Sequence, residues 1–294
     1  MVNKVKKIFI IVLNYNNAED TLECVKSLDF LGEEYQIVLV DNGSDITCIK
    51  EIESNIDERI KLITTNENLG YAEGNNVGIR YAIEHGAEII VVLNNDVIAN
   101  VDSFNKSIKI LKETEQIAII GPTILEIEGN LIQSAGADID YLNVYSKLIK
   151  HKEKFCAQNR LIECDYVGGA CMIFKSNLPQ IIGYIPDDYF LFFEETEWCI
   201  KAQRAGYKVV CNMNSYVRHK GSASINKVSG MSRYYFERNR ARFIVKNAPS
   251  KFVKANALML LFLKAIIKGI FRDKKNFELI RFYQDGIKGK FSKF

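Results

Sequence analysis

The chain reads as an α/β protein with a mostly parallel central sheet flanked by helices and a helical C-terminal extension. Three observations predict this. Short apolar runs rich in β-formers alternate with helical patterns over residues 1–120. The runs lack the in–out alternation of a sheet with one wet face, so both faces must be covered. Alternation of strand and helix implies parallel crossovers.

In order, residues 7–13 (KIFIIVL) form a buried strand, and Leu22, Val25 and Leu28 then recur at helical spacing. Residues 36–40 (QIVLV) are a second strand and residues 59–64 (RIKLIT) a third. Residues 73–85 form a helix with Gly86 as its stop. Residues 88–93 (EIIVVL) are a fourth strand, 102–114 a helix and 117–120 a fifth strand. Residues 121–247 are less regular and rich in Tyr. They include a polar stretch, residues 221–231, with the composition of a mobile loop, and helix returns from Tyr234.

Composition narrows the class. With 294 residues, 48% hydrophobic and 26% charged, the chain buries a sizeable core and is not disordered. From Lys246 onward 12 Lys/Arg stand against 3 Asp/Glu. That segment carries +9 of a chain total of +3, which leaves −6 on residues 1–245. A basic tail on an acidic body argues against a nucleic-acid-binding core and suits an anionic membrane surface. The 7 Cys are odd in number and lack CxxC spacing, as expected of reduced, buried thiols. The apolar run at residues 8–13 is too short for a signal peptide. No run reaches the ~18–20 residues of a membrane span. A cytoplasmic protein, peripheral at most on the inner face of the membrane, is expected.

In such sheets ligands bind beyond the carboxyl ends of strands. Three strand ends are polar there: Asn14-Tyr15-Asn16-Asn17, Asp41-Asn42-Gly43-Ser44-Asp45 and Asn94-Asn95-Asp96. No GxGxxG follows the first strand and no GxxxxGK[ST] occurs, against a dinucleotide dehydrogenase or P-loop NTPase. Asp96 is either a metal–diphosphate ligand or a cap of the next loop. Asp41 either accepts from a nucleobase or ribose, or closes an Asx-turn. The glycine-rich stretch 66–78 permits close backbone approach before a helix. Glu194, Glu195 and Glu197 lie among Phe190, Phe192, Phe193 and Trp198. Such a setting raises a carboxylate toward a useful general base, although acids at a helix N-terminus also complement its dipole. His219 is a structural histidine or a second metal ligand.

Taken in order, these segments resemble the inverting glycosyltransferases of family 2, with the GT-A fold, and within them the rhamnosyltransferase-like enzymes of surface polysaccharide synthesis. The resemblance runs from about Ile8 to Asn247. It rests on Val12 to Asn16, Val40 to Ser44, Asn68 to Gly78, Leu93-Asn94-Asn95-Asp96, Gly168-Gly169-Ala170, Phe190 to Cys199, His219 to Ser222 and Arg238-Asn239. It implies residues 1–247 as the catalytic domain: about 1–120 for the nucleotide sugar, about 121–247 for acceptor and catalysis. Residues 248–294 are then a basic amphipathic tail.

The resemblance also implies roles. Asn14, Tyr15 and Asn16 line the nucleotide pocket, and Asp41 meets base or ribose. Gly70, Gly74 and Asn75 shape the donor site beside Asn94 and Asn95. Asp96, with His219, holds Mg²⁺ or Mn²⁺ against the diphosphate. Gly169, Ala170 and Trp198 belong to the acceptor side. Glu195 falls on the base position, with Glu194 as the alternative. The expected reaction moves a sugar from a nucleoside-diphosphate donor, dTDP-rhamnose or a UDP-sugar, to a hydroxyl of a glycan or lipid-linked acceptor, with inversion. Three positions depart from the family pattern: Asn94 replaces the first acid of a DxD, Glu195 an Asp, and Lys201 an Arg. Asn94 and Glu195 keep a non-catalytic nucleotide- or sugar-binding protein on the same scaffold as the alternative.

In the tail, residues 251–275 are helical in pattern. Lys251, Lys254, Lys264, Lys268, Arg272 and Lys275 fall within roughly 140° of arc, with apolar residues on the other faces. This predicts either a helix in the headgroup layer with its lysines toward anionic lipid, or a helix packed on the catalytic domain.

Overall fold

The computed structural model describes residues 7–100, 102–143, 145–221 and 229–290. Its elements are β1 (Ile8–Asn14), α1 (Ala18–Lys26), β2 (Tyr35–Asp41), α2 (Ile46–Asn55), β3 (Lys61–Thr64), α3 (Gly70–Glu84), β4 (Ile89–Asn94), β5 (Val97–Ile98), α4 (Asp102–Glu113) and β6 (Ile117–Glu126). There follow β7 (Ile132–Ser134), β8 (Ala137–Asp140), β9 (Tyr145–Leu148), β10 (Leu161–Glu163), β11 (Cys171–Lys175), α5 (Leu178–Ile182), α6 (Glu194–Arg204) and β12 (Lys208–His219). Three helices close the chain: α7 (Ser229–Asn247), α8 (Lys251–Phe271) and α9 (Glu278–Lys288).

The main sheet runs β10-β12-β6-β11-β4-β1-β2-β3, with β5 on β12 and β7 on β6. Strands β3, β2, β1 and β4 are mutually parallel, as are β6 and β12, while β11 is antiparallel to both β4 and β6. The α/β, mostly parallel architecture read from the sequence is therefore present. Alternate residues of β1 face opposite layers. Phe9 and Ile11 pack with Ile79 and Ala82 of α3. Ile8, Ile10 and Val12 belong to the other layer, which also holds Cys24 of α1 and Phe104, Ile108 and Leu111 of α4. Burial on both sides explains why the strand is apolar throughout.

Two elements differ from expectation. Strand β6 continues through Gly121-Pro122 to Glu126, because Pro122 faces a bulge of β12 between Asn212 and Tyr216, where a missing N–H costs little. Helix α2 lacks a strong apolar period, since only Ile52 in it is fully buried. Residues 222–228 of the polar stretch, including Ser222, lie outside the described residues. All seven cysteines are free. Among the described residues no helix is long and apolar enough to cross a membrane.

A third core layer joins Tyr189 and Ile200 to Tyr234, Tyr235 and Phe243 of α7, Ala257, Leu261 and Ala265 of α8, and Leu279, Phe282 and Tyr283 of α9. The C-terminal helices are thus packed against the segment that leads into α6. Their spacing is tight at Gly286, where a Cβ would lie 2.1 Å from the Arg238 carbonyl oxygen. Gly286→Ala is expected to cost about 1–3 kcal/mol by forcing α9 off α7, read as a lower thermal midpoint. An unchanged midpoint would show that this spacing is not constrained.

Candidate active site

The parallel register brings the polar strand ends to one edge: Asn14 lies opposite Asp41, and Asn94 opposite Leu13. Asn14 is wholly buried. Its Nδ2 donates to Asp41 Oδ2 at 2.6 Å and Ser44 Oγ at 3.1 Å, while its Oδ1 accepts from Thr21 Oγ1 at 2.8 Å. Asp41 is equally buried, and its other oxygen accepts from Ser44 N at 2.9 Å. Asp41 thereby closes an Asx-turn. Expected to touch the nucleotide, Asp41 presents no surface here, because both oxygens are spent on holding the turn. The outward positions go to Tyr15, 47% exposed, and to Asn16. Asn16 is locked to the second loop through Ser44 Oγ and Asp45 N.

The glycines of the third segment act through close approach. Gly70 has φ +80°, and a Cβ there would sit 2.5 Å from the Phe190 carbonyl oxygen. Gly74 lets α3 lie on β1, since a Cβ would meet Leu13 at 2.6 Å. Asn75 is buried, donating to the Tyr71 carbonyl at 2.9 Å, and its Oδ1 has no partner among the described residues. Asn42, which sequence reading passed over, binds this turn through Leu69 N and the Gly70 carbonyl.

Beyond β4 the chain turns into β5, whose antiparallel pairing with β12 sets Val97 against His219. That pairing delivers His219 Nε2 to 3.1 Å from Asp96 Oδ1. His219 Nδ1 meets Gln133 Oε1 at 2.7 Å. An amide oxygen only accepts, so Nδ1 donates there and Nε2 is the ring nitrogen that faces the carboxylate. A separation of that length between Nε2 and Oδ1 accommodates a proton or a cation between them. Neighbouring ligands of an octahedral ion with bonds of ~2.1 Å lie ~3 Å apart, so the pair fits Mg²⁺ or Mn²⁺. Among the described residues no cluster of three or more His, Cys, Asp or Glu is found. The remaining positions suit phosphate oxygens and water, the coordination Mg²⁺ favours. Asn95 Nδ2 donates to Thr21 Oγ1, and the Asn94 N–H to the Ala170 carbonyl at 3.0 Å. Lys220 anchors the far side on Asp20 and Glu23 of α1.

The bond from Asn94 to Ala170 couples this edge to the segment that carries Gly169. A Cβ on Gly169 would meet Tyr71 Oη at 3.0 Å and Glu195 Cγ at 3.4 Å, and Tyr71 Oη donates to the Gly169 carbonyl at 2.7 Å. Tyr71, Gly169 and Glu195 therefore converge. Burial, then the charges of Glu195 and Glu194, push the Tyr71 phenol well above its usual range, so it stays a donor. Phe190, Phe192 and Phe193 all have left-handed φ, 69°, 72° and 77°. Asn239 Nδ2 holds that backbone through the carbonyls of Tyr189, Leu191 and Phe192 at 2.9, 2.6 and 3.1 Å.

The two candidate bases differ in access. Glu194 is 2% exposed and its Oε2 has no partner among the described residues, while Glu195 is partly exposed. Burial, then the charge of Glu195, raises Glu194 well above the carboxylate range. Burial also raises Glu195, offset in part by the Glu195 and Thr196 N–H groups. Glu197 is structural, paired with Lys246 at 2.7 Å, Asn247 and Tyr189. Trp198, assigned to the acceptor side, is fully buried, edge-on to Phe174 at 4.7 Å, and donates to the Gly183 carbonyl. The indole presents no surface, and the aromatic side chain beside Gly169 is Tyr71.

Above ~4.3 the unfolded carboxyl of Glu194 is ionised while the folded one keeps its proton. Stability is therefore lost as pH rises toward the raised folded value. Glu194→Gln mimics the neutral form. The midpoint of the variant relative to the parent is expected to climb from pH 4 to pH 8, and a difference independent of pH would contradict this.

The glycosyl transferase family 2 profile matches residues 9–179. The low-salt glycan biosynthesis hexosyltransferase Agl10 of Haloferax volcanii is 29% identical over 201 residues, 68% of this chain. The chain spans 62% of that relative's length. The dTDP-rhamnosyl transferase RfbF of Shigella flexneri is 22% identical over 248 residues, covering 82% of this chain and 80% of the relative. The mannosyltransferase PcManGT of Pyrobaculum calidifontis, solved with GDP-Man and Mn²⁺, superposes with a TM-score of 0.59 at 13% identity. It covers 97% of this chain and 88% of its own, and so shows a GT-A-like fold. With more than half its length matched, this chain belongs to glycosyl transferase family 2.

Proposed function

We propose that the chain transfers a sugar from a nucleoside-diphosphate donor to a hydroxyl of a glycan or lipid-linked acceptor, inverting the anomeric centre. The observation that carries this reading is the placement of Glu195 beside Gly169, joined through Ala170 and Asn94 to the edge that holds Asp96 and His219. A general base and a diphosphate anchor then serve one substrate pair. The likeness to a dTDP-rhamnosyl transferase supports a dTDP-rhamnose donor, and the hexosyltransferase relative a nucleotide hexose.

Asp96 and His219 would hold Mg²⁺ or Mn²⁺, which supplies charge neutralisation to the departing diphosphate. Tyr15 and Asn16 border the nucleotide, and Asn14 and Asp41 keep those two in place from beneath. Glu195 accepts the proton of the acceptor hydroxyl as its oxygen attacks the anomeric carbon. The bond from that carbon to the diphosphate oxygen breaks in the same displacement, so the configuration inverts and no sugar–enzyme bond forms. Desolvation of Glu195 strengthens it as a base. Glu194, the more enclosed of the two, is held protonated by its burial and spares Glu195 a second negative charge.

Nucleoside diphosphates with Mn²⁺ are expected to raise the thermal midpoint of the parent, and Asp96→Ala to lose the metal-dependent part of the shift. Glu195→Gln is expected to keep the shift and lose transfer by about 10²–10⁴-fold. Transfer by Glu195→Gln at the parental rate, with Glu194→Gln inactive, would move the base to Glu194. Donor binding by the parent without transfer to any acceptor would favour the binding-protein reading.

A further inference from the structure

Helix α8 faces the protein with small residues and solvent with large apolar ones. Ala257, Leu261, Ala265 and Gly269 recur every four residues along its buried seam. At Gly269 a Cβ would strike Phe277 at 2.7 Å. On the opposite side Phe252, Met259, Leu263, Ile266, Ile267, Ile270 and Phe271 are all exposed, Phe271 to 80%. At 100° per residue these seven fall within about 140° of arc, centred roughly opposite the seam. Lys254, Lys264 and Lys268 are half-buried and lie toward the seam, Lys264 reaching the Asn143 carbonyl at 3.2 Å. The lysines thus flank the protein side of the helix, and the outermost surface is apolar. This reverses the orientation expected from the lysine arc. The 21 residues of α8 contain no acid. At the tip of the β8–β9 hairpin, Leu142 is exposed close to Lys264.

We propose that α8 docks the chain on an anionic lipid bilayer, its apolar stripe set into the acyl boundary and its lysines at headgroup level. This is how an in-plane amphipathic helix lies in the interface, and the lysine stems are long enough to snorkel there. The helix does not span, for none among the described residues is long and apolar enough to cross a membrane. A second copy of the chain fits the stripe less well. A strip ~30 Å long and ~10 Å wide offers ~300 Å², against the ~800 Å² per partner of a standard interface. An anionic bilayer satisfies stripe and flanks together.

The test is co-sedimentation of the full chain with phosphatidylcholine vesicles, with and without phosphatidylglycerol, at low and high salt. No donor or acceptor is needed, so the outcome is independent of the proposed transfer. The parent is expected to bind the anionic vesicles, less at high salt. Ile270→Ser with Phe271→Ser, both surface changes, should weaken partitioning by about tenfold or more. Lys264→Gln with Lys268→Gln should do the same on anionic vesicles only, at about fivefold per lysine. Each variant should keep the parental thermal midpoint. Absence of binding by the parent, or equal binding by the Ile270/Phe271 variant, would overturn the proposal. So would a parental dimer that the same pair of changes renders monomeric, since the stripe would then be a contact between copies.

Discussion

The parallel pairing of β1 with β2 on one side and β4 on the other is the constraint on which the rest depends. Both faces of these strands are covered, so their residues up to the carboxyl ends must be apolar. Polar groups can appear only where the strands stop, and the register makes them stop together. Asn14 and Asp41 then pair below the edge, freeing Tyr15 and Asn16 to face outward. Buried polar groups survive here because they satisfy one another: Asn14 uses both ends of its amide, and Asp41 both oxygens.

The second half of the site is held against strain. Three consecutive-region phenylalanines in left-handed backbone each cost about 1–3 kcal/mol. The segment persists because Asn239 and Tyr71 N bind its carbonyls and Gly70 leaves room for Phe190. What the strain achieves is the entry angle of α6, which buries Glu194 and Trp198 and leaves Glu195 toward Gly169. Helices α7 to α9 cover the same segment from outside, so C-terminal packing and the start of α6, where Glu194 and Glu195 lie, belong to one mechanical unit.

Much of this was legible in the sequence because it is local. Apolar runs bounded by polar turns mark β1, β2 and β4, and each turn lies next to its strand in the chain. What escaped is long-range or depends on facing. Gln133 reaches His219 across 86 residues, and Tyr71 reaches Gly169 across 98. Nothing near Gln133 signals that contact, although Tyr71 sits inside a stretch already singled out. Trp198 shows the limit of composition: an aromatic beside acidic residues suits a sugar-facing wall or a core equally well. In α8 the helical period was plain, but hydrophobicity pointed to the large residues as the buried ones. Close approach to α7 and Phe277 selects Ala257, Ala265 and Gly269 instead, which turns the large side chains outward.

The central claim is that one edge, built by β4, β5 and β12, anchors the diphosphate through Asp96 and His219. Anomalous diffraction from crystals grown with Mn²⁺ and a nucleoside diphosphate tests it most directly. The account predicts an anomalous peak within bonding distance of both Asp96 Oδ1 and His219 Nε2, with the diphosphate on the same ion. A nucleotide bound elsewhere, or bound here with the Asp96–His219 contact intact and Mn²⁺ at other residues, would contradict it.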